Sequence, residues 1–258
     1  MNGRNGLLRR VKAIAPLIAT IAAITLGPAA SAVAGTILVS GDSNTTDTLL
    51  LAGNESLFFS NVLGSGTTVR VLDFIDQGYG SAGNTQTEVN DYYGSLAGVT
   101  STIVAGNVTA ATLAGASLFV VPMPDDNFGA SEVSAISSFL GGGGTLFLLG
   151  ENASSVFNTP NGAINQLLNA LGSGIGLVPA ALSGPGSFAV DPFTAGLTDL
   201  RFIAGSQVTG GKTLYTNSAG LGLIAREEAG GQGPEPATLA LLGLGLAGLG
   251  FRRRTRSS

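Results

Sequence analysis

The sequence predicts an α/β domain: a mostly parallel sheet with helices on both faces, a small β-rich C-terminal part, and then a single C-terminal apolar helix. Three observations point there. Short continuous apolar runs, TILVS (36–40), SLFVVP (117–122) and TLFLL (145–149), lack the polar alternation of half-solvated strands and read as strands covered on both faces. Segments of helical periodicity separate them, the pattern of a covered parallel sheet. Glycine is abundant, 40 of 258 residues, as tight strand–helix connections and close packing require.

Taken in order, residues 1–32 form a secretory signal peptide. Arg4, Arg9, Arg10 and Lys12 precede an apolar stretch at 13–26, and Ala30-Ser31-Ala32 offers a small-x-small cleavage site, with Ala32-Val33-Ala34 a close second. The body spans 33–228. Its first strand, 36–40, ends at Gly41-Asp42-Ser43. Asn44 or Thr46 is placed to cap a helix running to about Leu63, with Leu49, Leu50, Phe58 and Val62 on its apolar side. TVRVLD (68–73) is a second strand, 78–84 a Gly-rich loop, 87–96 a helix and 100–104 an extra strand. After SLFVVP come Pro124-Asp125-Asp126, a helix capped by Ser131 and ending at the glycines 141–144, then TLFLL and Gly150-Glu151-Asn152. Residues 163–171 are helical, and short β segments lie near Gln207, Leu214 and Leu223. Residues 229–236 form a linker, 237–251 an apolar segment and 252–258 a basic end.

This alternation suits a flavodoxin-like sheet, in which ligands bind outside the carboxyl ends of the strands. Asp42, Asp125, Asp126, Glu151 and Asn152 all fall at such ends and form a candidate cation or polar-ligand site. Their oxygens suit Ca²⁺ or Mg²⁺, although no DxDxDG loop is present; no other cofactor is implied. Paired carboxylates at roughly 5–10 Å would also serve glycoside hydrolysis. The competing reading is a set of separate turns and helix caps.

Composition excludes more than it proposes. The chain has no Cys, no His and no Trp, so it holds no disulfide, no Cys/His zinc site and no imidazole acid–base machinery. Between the two termini four bases face fifteen acids, a net charge of −11, which disfavours nucleic acid and anionic membranes.

The tail reads Pro234-Glu235-Pro236, ATLALLGLGLAGLGF (237–251), then Arg252, Arg253, Arg254 and Arg256. As a helix the apolar segment would run about 22 Å, short of the roughly 30 Å bilayer core, with the arginines held on the cytoplasmic side. A GxGxxG match at Gly243–Gly248 lies inside this segment, follows no strand and is discarded. The tail resembles the PEP-CTERM sorting signal. That resemblance implies recognition by an exosortase of a Gram-negative bacterium, cleavage near the tripeptide after transient inner-membrane anchoring, and transfer to the cell surface following Sec export.

The body resembles the class I glutamine amidotransferase-like superfamily on LAGASLFVVP (113–122), SFLGGGGTLFLLGEN (138–152) and VDPFTAGL (190–197). The last is similar to a motif that usually reads His-Pro-x-x-x-Gly, with Asp191 in the His position. The nucleophilic Cys expected after TLFLL is missing, so the likeness implies fold and not activity. Gly41-Asp42-Ser43-Asn44 is similar to the first block of GDSL-type esterases, without that family's His base. Together these readings lead to an exported, non-catalytic binding or structural protein of the extracellular matrix, associated with cations or polysaccharide. A secreted carboxylate-based glycan hydrolase is the alternative. PEP-type tails also occur on proteins labelled ice-binding, but this body lacks a repeated Thr array.

Overall fold

In the computed structural model of the chain, the described residues are 34–47, 49, 53–73 and 84–229. The signal peptide, most of the Gly-rich 78–84 loop, the PEP tripeptide, the apolar segment and the terminal arginines lie outside them.

Five strands run parallel: β1 (Thr36–Ser40), β2 (Thr68–Leu72), β3 (Thr100–Val104), β4 (Leu118–Pro122) and β5 (Thr145–Leu149). The chain then adds β6 (Gly176–Leu182), β7 (Gly186–Phe188), β8 (Gly205–Thr209), β9 (Lys212–Asn217) and β10 (Gly222–Glu228). The main sheet has the order β3-β2-β4-β5-β1-β10-β9-β7, while β6 and β8 pair antiparallel in a second, two-stranded sheet.

Two features depart from the sequence reading. The parallel strands follow the order 3-2-4-5-1 rather than the flavodoxin-like 2-1-3-4-5. The expected β-rich C-terminal part is present as β6–β10, but β10, β9 and β7 extend the main sheet antiparallel from β1 and only β6 and β8 form a sheet of their own. The added strands follow from that order, which leaves β1 at the margin of the parallel strands. With β5 on one side of β1, its other edge stays open until β10 covers it along all five residues, and an uncovered edge strand invites wrong pairing.

Strand periodicity sends alternate side chains to opposite faces. Leu38, Val71, Val120 and Phe147 meet α1 (Asn54–Leu63) and α2 (Thr85–Ser95) through Phe58, Phe59, Tyr92 and Tyr93. Val39, Val121, Leu146 and Leu148 meet α3 (Ala130–Gly141) and α4 (Asn158–Ala170) through Ile136, Phe139, Ile164 and Leu167. The Phe59 and Phe147 ring centroids stand 5.3 Å apart, and each such ring contributes about 1.5–3 kcal/mol by burial.

Helix starts moved. Ser43–Thr46 is a short 3-10 turn, and α1 begins separately behind Gly53, whose N–H is received by the Ser56 hydroxyl. α3 starts at Ala130, where Glu132 accepts from the Gly129 N–H and so caps in place of Ser131. α4 starts at Asn158, with Pro160 in the first turn, where no N–H is required.

Candidate functional site

β1 and β5 are neighbours, so their carboxyl ends bring Asp42 and Glu151 together. Gly41 makes this possible. Ser206 donates its N–H to the Gly41 carbonyl at 2.8 Å, and a Cβ at position 41 would stand 2.0 Å from the Ser206 carbonyl oxygen. Both carboxylates are buried, at 0% and 2% exposure.

Every oxygen of the pair receives two donors. Asp42 Oδ1 accepts from the Asn44 N–H (2.9 Å) and Nδ2 (2.6 Å), and Oδ2 from the Ile203 and Ala204 N–H groups (2.7 and 3.3 Å). Glu151 Oε1 accepts from the Asn152 N–H and Nδ2 (both 2.9 Å), and Oε2 from Ser43 Oγ (2.6 Å) and Asn44 Nδ2 (3.4 Å). The Glu151 backbone is pinned as well: Asn161 Oδ1 receives its N–H, while Asn161 Nδ2 and Ser206 Oγ donate to its carbonyl. The four carboxylate oxygens are thus engaged by N–H and O–H groups, and the cluster is a joint between strands rather than an open ligand cradle. Burial, and next the Asp42 charge, push the Glu151 carboxyl up to about 7 against the opposing hydrogen bonds of Ser43 and Asn152.

Asp125 and Asp126 go elsewhere. With Asp73, Asn107 and Asn127 they line a cleft of about 460 Å³ beyond the carboxyl ends of β2 and β4. From β2 the chain moves outward to β3; from β4 it moves the other way to β5, so the cleft lies at a topological switch point. Buried Met123, just before the lining residue Pro124, is the one non-glycine residue with positive φ (40°) among the described residues and turns the chain out of β4. Opposite, Glu132 accepts from the Val108 and Gly129 N–H groups and fixes the 106–108 loop against α3. The five residues of the candidate cation site therefore divide, with Asp42, Glu151 and Asn152 in the joint and Asp125 and Asp126 in the cleft. Among the described residues no group of three or more Asp or Glu is arranged to hold a metal ion.

Asp191 has a third environment. It caps the turn Pro192–Thr194 through the Phe193 N–H (3.1 Å) and accepts from Lys212 Nζ (2.7 Å) and Arg226 Nε (2.8 Å). Burial alone would raise its carboxyl, but these donors outweigh it and hold Asp191 below the usual carboxylate range.

The tail, although outside the described residues, is decided by comparison with protein families. Residues 234–254 match the PEP-CTERM protein-sorting motif. A PEP-CTERM tail marks an exported protein of the cell surface or exterior that an exosortase processes. No curated protein matches the chain. Among solved structures, the mmIFT52 N-terminal domain aligns over 61% of this chain and 75% of its own, at 18% identity and a TM-score of 0.40. A peptidase from an acI-B1 Actinobacterium aligns over 46% of this chain, at 12% identity and a TM-score of 0.32; the match spans 55% of the peptidase. Both are distant likenesses. Among the described residues no helix is long and apolar enough to cross a membrane.

Sequence reasoning missed Asn161, Ser206 and the Ile203–Ala204 amides. Asn161 sits in a Pro-Asn-Gly stretch that reads as a turn, and the other groups lie in an irregular segment or act through the backbone, which leaves no side-chain signal.

Proposed function

We propose that the exported body is a non-catalytic glycan-binding module: an amidotransferase-like scaffold without that chemistry, holding a neutral, hydroxyl-rich polysaccharide in the cleft beyond β2 and β4. It would leave through the Sec machinery of a Gram-negative cell. Its 237–251 segment would dwell in the inner membrane until exosortase acts. The cleft is the observation that carries this reading. It is concave, lies at the switch point of the sheet, and presents Asp73, Asn107, Asp126 and Asn127 as acceptors for sugar hydroxyls. A body of net charge −11 repels acidic polysaccharide, which favours a neutral one. Near the elbow where the resemblance would put an amidotransferase nucleophile, Glu151 is committed to internal hydrogen bonds.

The test is thermal unfolding of the full-length chain in neutral detergent, with neutral and acidic polysaccharides, in EDTA, Ca²⁺ or Mg²⁺. A ligand of the folded state raises the melting temperature. A saturable rise with a neutral polysaccharide in EDTA, lost in Asn107→Ala and Asp126→Asn, is expected. No rise with any neutral glycan overturns the reading, and a rise that needs Ca²⁺ transfers it to cation-bridged binding. Four carboxylates in the cleft lining, Asp73, Asp125, Asp126 and Glu132, favour a hydrolase as the second reading, which release of reducing sugar would reveal. Deleting Pro234–Pro236 is expected to leave the tail uncleaved in the exporting cell; unchanged processing would sink the sorting assignment.

A further inference from the structure

The joint between β1 and β5 has a chemistry that glycan binding does not use. Two buried carboxylates lie close enough for one amide nitrogen, Asn44 Nδ2, to reach an oxygen of each. We propose that Asp42 and Glu151 form a one-proton latch: the folded body stores a single proton on the pair, and losing it loosens the joint between β1, β5 and β8.

Burial and the charged surroundings set the direction together. The 3-10 turn contributes Ser43 and Asn44, α4 contributes Asn161, β8 contributes Ser206, and Asn152 follows Glu151 in its own loop. None is a cation. The titratable groups on the outer side of the turn add negative charge: Asp47 follows it, and Thr46 donates to Glu88 from α2 at 3.3 Å. Arg201, half-exposed, pairs with Asp47 at 3.8 Å. Two like charges in such a setting resist joint ionisation.

The hydrogen-bond pattern says where the proton sits. All donors to Asp42 are N–H groups, which cannot accept a proton in return. Glu151 Oε2 faces Ser43 Oγ at 2.6 Å, and a hydroxyl both donates and accepts. The acid form therefore donates from Oε2 to Ser43; on deprotonation the Ser43 hydroxyl rotates and donates back. The bond survives in both forms, but the ionised form places a second negative charge beside Asp42. Glu151's elevated titration range agrees with this geometry. A carboxyl raised from 4.5 to about 7 in the folded state stabilises the fold fully below its ordinary value, and that stabilisation is lost as pH rises through about 7.

The experiment follows the melting temperature of the full-length chain in neutral detergent from about pH 5 to about pH 9, for the wild type and for Glu151→Gln, Asp42→Asn and Ser43→Ala. Wild type is expected to melt progressively lower through neutral pH, and Glu151→Gln to flatten that fall. Asp42→Asn should shift the fall to lower pH by removing the repelling charge; Ser43→Ala should shift it higher by removing a donor to the carboxylate. Parallel curves for wild type and Glu151→Gln overturn the proposal. Should the variants fail to fold, infrared titration of the wild type decides: a protonated-carboxyl band that persists at pH 6 and vanishes by pH 8 supports the latch, and its absence at pH 6 overturns it.

Discussion

The joint at Glu151 and the corner at Asp191 each bury a carboxyl group, and they manage it in opposite ways. At Asp191 two cations, Lys212 and Arg226, converge on Oδ2, and Arg226 also pairs with Glu228 and lies over the Phe193 ring at 5.7 Å. The carboxylate is held charged. At Glu151 the donors are neutral, a second carboxylate lies alongside, and the group favours its acid form. The difference teaches that burial pushes both carboxyls toward the acid form, and that the donors and charges around each decide whether burial prevails. The pH signs follow. Asp191 supplies stability above its ordinary titration range that is lost as pH falls through its depressed value, whereas Glu151 supplies stability that is lost as pH rises through about 7. The two regions bracket a mildly acidic optimum.

Breaking the joint has the largest expected effect. Asp42→Ala removes the acceptor for the Asn44, Ile203 and Ala204 N–H groups at once, and each buried orphan costs about 1–3 kcal/mol, so chemical denaturation should show a loss of about 3–5 kcal/mol. The alkaline loss assigned to Glu151 amounts to about 3 kcal/mol between its ordinary value and full ionisation in the folded state, measurable as the difference in unfolding free energy between about pH 5 and pH 8.5. Asp191→Asn is expected to cost about 2 kcal/mol at neutral pH, by weakening two charge-assisted hydrogen bonds, and progressively less in acid, the mirror image of the joint. Lys212→Ala sharpens the comparison at the lower end: its side chain is 49% exposed, and the change should cost under about 1 kcal/mol and shrink further in salt.

The strands were the legible part of the sequence. TILVS, LFVVP and TLFLL are covered on both faces, so continuous hydrophobicity marked them to within a residue, while TVRVL carries β-branched residues around a half-buried Arg70. Strand order was not legible, because β1 is chosen as a neighbour by β5 and by β10, which lies over 180 residues away, and local patterning carries no trace of such pairings. The start of α4 was hidden by Asn158, Thr159, Pro160, Asn161 and Gly162, turn-formers that here serve the first helical turn and, through Asn161, the joint. The site was legible as a rule and not as a place. All five candidate residues do lie beyond strand ends, but the topology sends three to a sealed joint and two to an open cleft, and one-dimensional spacing cannot distinguish those outcomes.

Pairing β1 with β10 has a consequence for presentation. The Ala229 N–H reaches the Gly35 carbonyl at 2.7 Å, so the backbone enters and leaves the body side by side, at the amino end of β1. The cleft lies beyond the other, carboxyl ends of the parallel strands, each of which spans roughly 17 Å, and is displaced sideways from β1 by β5. The cleft and the point where the backbone leaves the body therefore lie toward opposite ends of the parallel strands. Processing by an exosortase at the 234–254 motif acts outside the residues that build the cleft.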